Sequence, residues 1–269
     1  MESIHLNQLS TCSLDVRWIG ERSTNGITTS NLTFQAAMRQ RRAASLVRPE
    51  GDGPFPVILY VHWYEPAAAN SNRTQFLEEA QTMAQCGAMS LLIEAAWSDR
   101  EWFLKRTQQD DYAASVSQVS ELRRAIDLLL AQPGADARRV AYVGHDFGAM
   151  YGVVAGSLDR RPSCYVLMAG TPRFPDWFLY YPELQEDERE AFIRQMQPLD
   201  PIGHVGRLSP APILFQFGVH DPHVPLGRAT AFADAADEPK QVQTYEAGHA
   251  LNEQAKQDRM AWLRQQLAI

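Results

Sequence analysis

The residues best suited to chemistry are Asp146, Asp221 and His249, each placed directly after a run of strand formers. Asp146 lies in VAYVGHDFGAMY, residues 140–151, where an apolar strand pattern runs into Gly144-His145-Asp146-Phe147-Gly148 and an Ala/Met/Val-rich helical pattern follows at once. A strand that turns sharply into a helix needs small residues beside the turn. Gly144 and Gly148 supply them, leaving the Asp146 side chain at the apex and facing out of a sheet. The Phe147 amide then lies beside that carboxylate at a helix N-terminus, where negative charge is stabilised. A carboxylate is already ionised at neutral pH, whereas a serine must lose a proton before it attacks. On an ester carbonyl it would form a mixed anhydride. On a saturated carbon bearing a halide or an epoxide oxygen, it displaces the leaving group and leaves an ordinary alkyl ester. His249, after Gly248, suits the base that activates water to hydrolyse that ester, and Asp221 suits the acid that orients the imidazole and stabilises the imidazolium. His145, His220 and His223 compete with His249 by residue type only, and Asp176 is a fallback for the acid.

The elements that must position these residues read as alternating strands and helices. Residues 14–48 alternate weakly in a β-like manner, with Asn25-Gly26 as a hairpin turn, and are expected as peripheral antiparallel strands. PVILYVHW is a continuous apolar run of the kind a doubly covered parallel strand requires, and it ends at His62-Trp63-Tyr64-Glu65-Pro66. A helix is expected from Arg73 to Gln85, stopped by Gly87, and then the strand AMSLLIEA. That strand exits at the same sheet edge as the Asp146 turn, so Trp97 and Trp102 are candidates either for a pocket or for the core. Between Asp111 and Ala131, Val116, Val119, Ile126 and Leu130 share one helical face, and Arg123 and Arg124 are expected to point away from it. CYVLMAG and PILFQFG are further buried strands. The roughly forty residues of the segment 171–212 are longer than an ordinary connection and carry Trp177-Phe178-Leu179-Tyr180-Tyr181, so they are expected to form a small lid. QVQTYEAG delivers His249, and an amphipathic helix with Met260, Leu263 and Leu267 follows.

Nucleophile, acid and base thus occur in the chain order of α/β-hydrolases, whose turn reads G-x-Nuc-x-G, and the likeness covers roughly Pro54 to the C-terminus. The tail GVHDPHVP…YEAGHALNE resembles the dienelactone-hydrolase branch, in which G-x-x-D-x-x-V-P carries the acid and G-H the base. The resemblance implies an α/β-hydrolase fold: a mostly parallel sheet with helices on both faces, in one domain. It also implies a second oxyanion donor in the loop after the PVILYVHW strand. The usual His-Gly there is His62-Trp63 in this chain, which leaves Trp63 or Tyr64 as the candidate beside Phe147. GHDFG is similar to the turn of epoxide hydrolases and haloalkane dehalogenases, where aspartate is the nucleophile. A departing halide needs N–H donors, and dehalogenases commonly carry Trp where Phe147 stands. An epoxide oxygen needs a proton donor, usually a lid tyrosine, and Tyr180 and Tyr181 lie in the lid. Epoxide opening is therefore placed ahead of dehalogenation, with Trp63, Trp97, Trp102 and Trp177 as alternative halide ligands and His62 at the pocket rim. An esterase or lactonase, and a non-catalytic binding protein on the same fold, are the other readings.

Composition narrows the class. The 269 residues include 25 Lys plus Arg against 32 Asp plus Glu, a net charge of −7 with the signs interspersed. That argues against nucleic acid or an anionic membrane as partner and for a small-molecule substrate. The opening MESIHLNQLSTCS has neither a basic nor an apolar stretch, so a cytoplasmic protein is expected. Cys12, Cys86 and Cys164 lack ligand spacing and are expected as reduced thiols. No metal or cofactor is expected, and the sequence is silent on oligomeric state.

Overall fold

Apolar runs such as FPVILYV and CYVLM, with no polar alternation, are stable only in strands covered on both faces, and they form the centre of a nine-stranded sheet. The computed structural model describes residues 13–37, 40–70 and 72–269; Cys12 lies outside them. The strands are β1 (Arg17–Thr24), β2 (Ile27–Ala37), β3 (Gln40–Pro49), β4 (Phe55–Val61), β5 (Met89–Ile93), β6 (Ala135–His145), β7 (Cys164–Met168), β8 (Ile213–Gly218) and β9 (Lys240–Tyr245). Their spatial order is β1-β2-β3-β5-β4-β6-β7-β8-β9. β1, β2 and β3 pair antiparallel, and β3 meets β5 antiparallel; β5, β4 and β6 to β9 run parallel. Asn25 and Gly26, both at positive φ, close the β1–β2 hairpin.

The helices are α1 (Leu77–Gln85), α2 (Trp102–Lys105), α3 (Gln108–Leu130), α4 (Phe147–Leu158), α5 (Pro175–Phe178), α6 (Glu186–Met196), α7 (Leu226–Asp234) and α8 (Glu253–Leu267). One face of the sheet packs against α3 and α4 around Leu59, Val140, Val153 and Phe215. The other packs against α1 and α8 around Ile58, Val143, Met83 and Leu263. A buried ion pair between Glu79 and Arg259 ties α1 to α8.

Two expectations are corrected. α1 begins at Leu77, not Arg73: Asn72 takes a left-handed φ of 62°, and the Asn70 side chain accepts from the Asn72 amide at 3.1 Å, a local bond that competes with helix. Arg123 and Arg124 are buried, although Val116, Val119 and Ile126 share the expected buried face. The loop after α4 covers them: the Arg161 guanidinium donates to the Arg123 carbonyl at 3.1 Å and to Asp127 at 2.6 Å, and Arg124 stands 3.6 Å from Asp127.

The turn from β6 into α4 is set by two close backbone approaches. A Cβ on Gly144 would stand 2.4 Å from the Gly148 carbonyl oxygen, and one on Gly148 would stand 2.2 Å from that of Val61 in β4. Neither contact can be relieved by rotating a side chain. Gly148→Ala is expected to cost on the order of 3 kcal/mol of stability, from forced separation of α4 and β4, read as a lowered denaturant midpoint.

Candidate active site

The carboxyl ends of β4, β6, β8 and β9 meet at one edge, so the loops that follow them share a site although they are distant in sequence. Asp146 is the residue between β6 and α4, with φ 53° and ψ −116°, a conformation rare for a residue with a Cβ. Its amide donates to the Met168 carbonyl at 2.8 Å and its carbonyl accepts the Met150 amide at 3.0 Å, which holds the strained turn in place.

The Asp146 carboxylate is buried, and its two oxygens differ. Oδ2 faces the Tyr64 amide at 3.5 Å; Oδ1 is buried with no hydrogen-bond partner. Burial pushes the carboxyl up to about 7, against the pull of His249 and of the Phe147 and Tyr64 amides. The Trp63 amide is not available as a donor, because it bonds Gln75 Oε1 at 3.1 Å. Of the two candidates for the second oxyanion donor, only the Tyr64 amide faces Asp146.

His249 Nδ1 donates to Asp221 Oδ2 at 2.7 Å, while Asp221 Oδ1 accepts the amides of His223 at 2.8 Å and Val224 at 3.0 Å. The bond to Asp221 fixes the tautomer of His249 and leaves Nε2, buried and without a partner, on the other side of the ring. Burial alone would lower the His249 pKa; the Asp221 bond and the charges of Asp146 and Asp221 outweigh it, and the net shift is upward. Burial pushes Asp221 the other way, upward, and His249 with the two amides brings it net below the usual carboxylate range. Asp176 is elsewhere, 3.2 Å from Arg173, and His220 pairs with Glu246 on the surface.

His145 is structural in its contacts. Gln75 Nε2 donates to its Nδ1 at 2.6 Å, so its Nε2 carries the proton and donates to the His249 carbonyl at 2.9 Å. Burial holds its pKa well below the usual histidine value. Gln75 thereby joins the Trp63 amide, the Asp146 turn and the His249 loop through one side chain, and the Trp63 indole stacks on both imidazoles at 5.0 Å. A lone glutamine in a polar stretch gives no sequence signal for this role.

A cavity of about 550 Å³ opens over Asp146, lined by Trp63, Tyr64, Glu65, Trp177, His223 and His249 among others. Several sequence candidates lie outside it. Trp97 is fully buried, stacks on Tyr151 at 5.3 Å and donates its indole N–H to the His62 carbonyl at 2.9 Å, so it belongs to the core. His62 is buried between the Trp63 carbonyl, 2.7 Å, and Ser98 Oγ, 2.8 Å, with burial lowering its pKa to about 4. Trp102 packs behind Phe147 at 5.2 Å and faces a separate cleft with Arg106 and Asp111. Tyr180 and Tyr181 are exposed; Tyr180 reaches only the outer side of Trp177 and His223, and the Tyr181 carbonyl is bound by Arg106. Arg106 also bonds the Phe178 carbonyl and, through Asp111, ties residues 178–181 to α3; neither tyrosine is among the residues lining the cavity. Trp177 does line it: its indole lies 5.6 Å from both Phe147 and His249, and its buried N–H has no partner. Glu65 and His223 as cavity residues come from the fold alone. Cys86 is a free, half-buried thiol, and burial raises the pKa of Cys164 to about 12.

Neither a family profile nor a curated protein sequence matches this chain. Its structure is similar to an acetyl xylan esterase from a Paenibacillus species, with a TM-score of 0.79 at 19% identity over 97% of this chain and 90% of that one. It is also similar to acetyl xylan esterase 1 from a Thermoanaerobacterium species, with a TM-score of 0.78 at 14% identity over the same shares. A putative dienelactone hydrolase from Klebsiella pneumoniae gives a TM-score of 0.66 at 16% identity over 91% of this chain and 99% of that one. The chain has the α/β-hydrolase fold, with a mostly parallel central sheet and flanking helices.

The raised pKa of Asp146 has a consequence for stability. A carboxyl moved from 3.8 to about 7 stabilises the folded state below 3.8, and that contribution is lost as pH rises through 7. Asp146→Asn is therefore expected to be more stable than the unmodified protein at pH 8, by up to about 4 kcal/mol at 1.36 kcal/mol per pKa unit, and nearly equal to it at pH 4. Urea melts at the two pH values measure the difference.

Proposed function

We propose that this protein is a hydrolase in which Asp146 forms a covalent alkyl ester with a saturated carbon of a small organic substrate, and His249 with Asp221 hydrolyses that ester. The observation that carries the reading is the inequality of the Asp146 oxygens. Oδ2 already occupies the place an oxyanion would take, beside the Tyr64 amide, and Oδ1 is the unpartnered atom. Oδ1 attacks the carbon, the O–C bond forms, and the bond to the leaving halide or epoxide oxygen breaks with its electron pair. Oδ2 becomes the carbonyl oxygen of the new ester without moving. His249 Nε2 takes a proton from water, whose oxygen adds to Cγ of Asp146; negative charge collects on Oδ2 and is held by the two amides. Collapse expels the product alkoxide, which takes the proton from His249. The oxygen of the product alcohol is therefore the original Oδ1.

The leaving group meets the Trp177 indole N–H and the His223 imidazole, not the exposed Tyr180 and Tyr181. An epoxide oxygen would accept hydrogen bonds from the N–H groups of His223 and Trp177 as it becomes an alkoxide and take its proton from water, and a halide would be held by the Trp177 N–H. Direct ester hydrolysis is the second reading, favoured by the structural similarity to acetyl xylan esterases. It would use water activated at His249, and Asp146 Oδ2 would stand where the substrate carbonyl oxygen needs its donors. The two readings share their final step, the hydrolysis of an ester.

His249→Gln, incubated with a panel of epoxides, haloalkanes and activated esters, is expected to stall as an adduct on Asp146. A gain of the whole substrate mass identifies an epoxide; a gain of substrate minus hydrogen halide identifies a haloalkane. In heavy-oxygen water with enzyme in excess, the unmodified protein is expected to gain one heavy oxygen in the Asp146 peptide. Label appearing only in a released acid, with no adduct in the variant, moves the assignment to direct ester hydrolysis. Adduct formation needs ionised Asp146, so its rate is expected to fall below about pH 7 in the presence of His249. Without the imidazolium charge that limb should shift to higher pH.

A further inference from the structure

The cavity over Asp146 has a charge pattern that the proposed reaction does not by itself require. Asp146 and Glu65 both line it, and no Lys or Arg does among the described residues. Guanidiniums near the site are held by backbone carbonyls or carboxylates, Arg228 by the carbonyl of the lining residue His223 at 3.3 Å. Arg100 donates to the Pro66 carbonyl at 2.9 Å, Arg173 pairs with Asp176 at 3.2 Å, and Arg106 bonds Asp111 and two carbonyls of residues 178–181. Glu65 Oε1 accepts the Ala67 amide at 3.0 Å, which fixes the carboxylate at the end of the Trp63–Tyr64 loop. Its charge reaches the site, since it is among the groups that raise the His249 pKa.

The walls complete the pattern. Trp63 and Trp177 present indole surface, and an indole face attracts a cation through its quadrupole. Asp146 is buried and Glu65 half-buried at the cavity wall, so their charges are screened less than those of fully exposed carboxylates. The one cationic group in the lining among the described residues, the His249 imidazolium, is already matched by Asp221 at 2.7 Å and by Asp146, so a substrate carboxylate would meet Glu65 without a free counter-charge.

We propose that this cavity takes the cationic end of its substrate, an alkyl- or arylammonium group, against the indoles of Trp63 and Trp177 with Glu65 as counter-charge, and that it rejects carboxylates of similar shape. The assignment rests on the cavity being the substrate site of the proposed hydrolase, and it adds the charge of the substrate to that reading.

The test uses three unreactive ligands of similar size, phenyltrimethylammonium, tert-butylbenzene and benzoate, with dissociation constants measured by tryptophan fluorescence. The unmodified protein is expected to bind the ammonium about tenfold more tightly than its uncharged isostere, with benzoate weakest. Glu65→Gln keeps the acceptor for the Ala67 amide and is expected to erase most of the preference; Glu65→Lys should reverse the order of ammonium and benzoate. Benzoate binding as tightly as the ammonium, or an order of affinities untouched in both variants, overturns the proposal. These are equilibrium affinities and need no turnover. If the His249→Gln variant forms no adduct while the ammonium preference holds, the covalent mechanism fails and the cation site stands.

Discussion

A carboxylate buried at the end of a central strand, with one oxygen facing an amide and the other facing nothing, is the constraint around which this molecule is arranged. An uncompensated charge in such a place is costly, and the Asp146 pKa near 7 records that cost. The fold sustains it by over-determining the turn. Backbone bonds to Met168 and Met150 hold the strained φ, and the contacts at Gly144 and Gly148 bring α4 against β6 and β4 with no room for a Cβ. The groups that lower the cost are the His249 imidazolium, backed by Asp221, and the amides of Phe147 and Tyr64.

Positioning is shared among loops that are tied to one another sideways. Gln75 bonds the Trp63 amide with its oxygen and His145 with its nitrogen, and His145 passes the connection to the His249 carbonyl. The loop carrying the Tyr64 amide and the loop carrying the base are thus fixed to the same turn that carries Asp146. Stacking of Trp63 on both imidazoles closes this arrangement from above. These bonds fix the three loops relative to one another, so little reorganisation would remain for the reaction proposed above.

The fold is shared with two acetyl xylan esterases and a putative dienelactone hydrolase that are only 14–19% identical to this chain. The local features of this chain are an aspartate at the apex of the turn, a tryptophan and a tyrosine in the loop after β4, and a cavity lined by carboxylates, imidazoles and aromatic rings. Function on such a scaffold is set by these side chains and not by the sheet beneath them.

The amino-acid sequence by itself determined the β-strands of the centre, because continuous apolar runs have few other stable solutions, and it determined the turn bearing Asp146, because two glycines four residues apart between a strand and a helix leave one geometry. It also determined which aspartate and histidine follow the last strands, and the structure brings Asp146, Asp221 and His249 to one edge. Only the tertiary structure decided which aromatic residues face the cavity. Trp97 and Trp177 read alike in sequence, yet one hydrogen-bonds inside the core and the other lines the site, since that depends on what packs behind each loop. The same holds for Tyr180 and Tyr181, exposed on a segment whose carbonyls Arg106 binds, and for Arg123 and Arg124, covered by a loop the helix pattern does not foresee. Local sequence fixes which way a chain turns; contacts between residues far apart in sequence fix what each side chain meets after the turn, and Gln75, with no local signal at all, is the clearest instance.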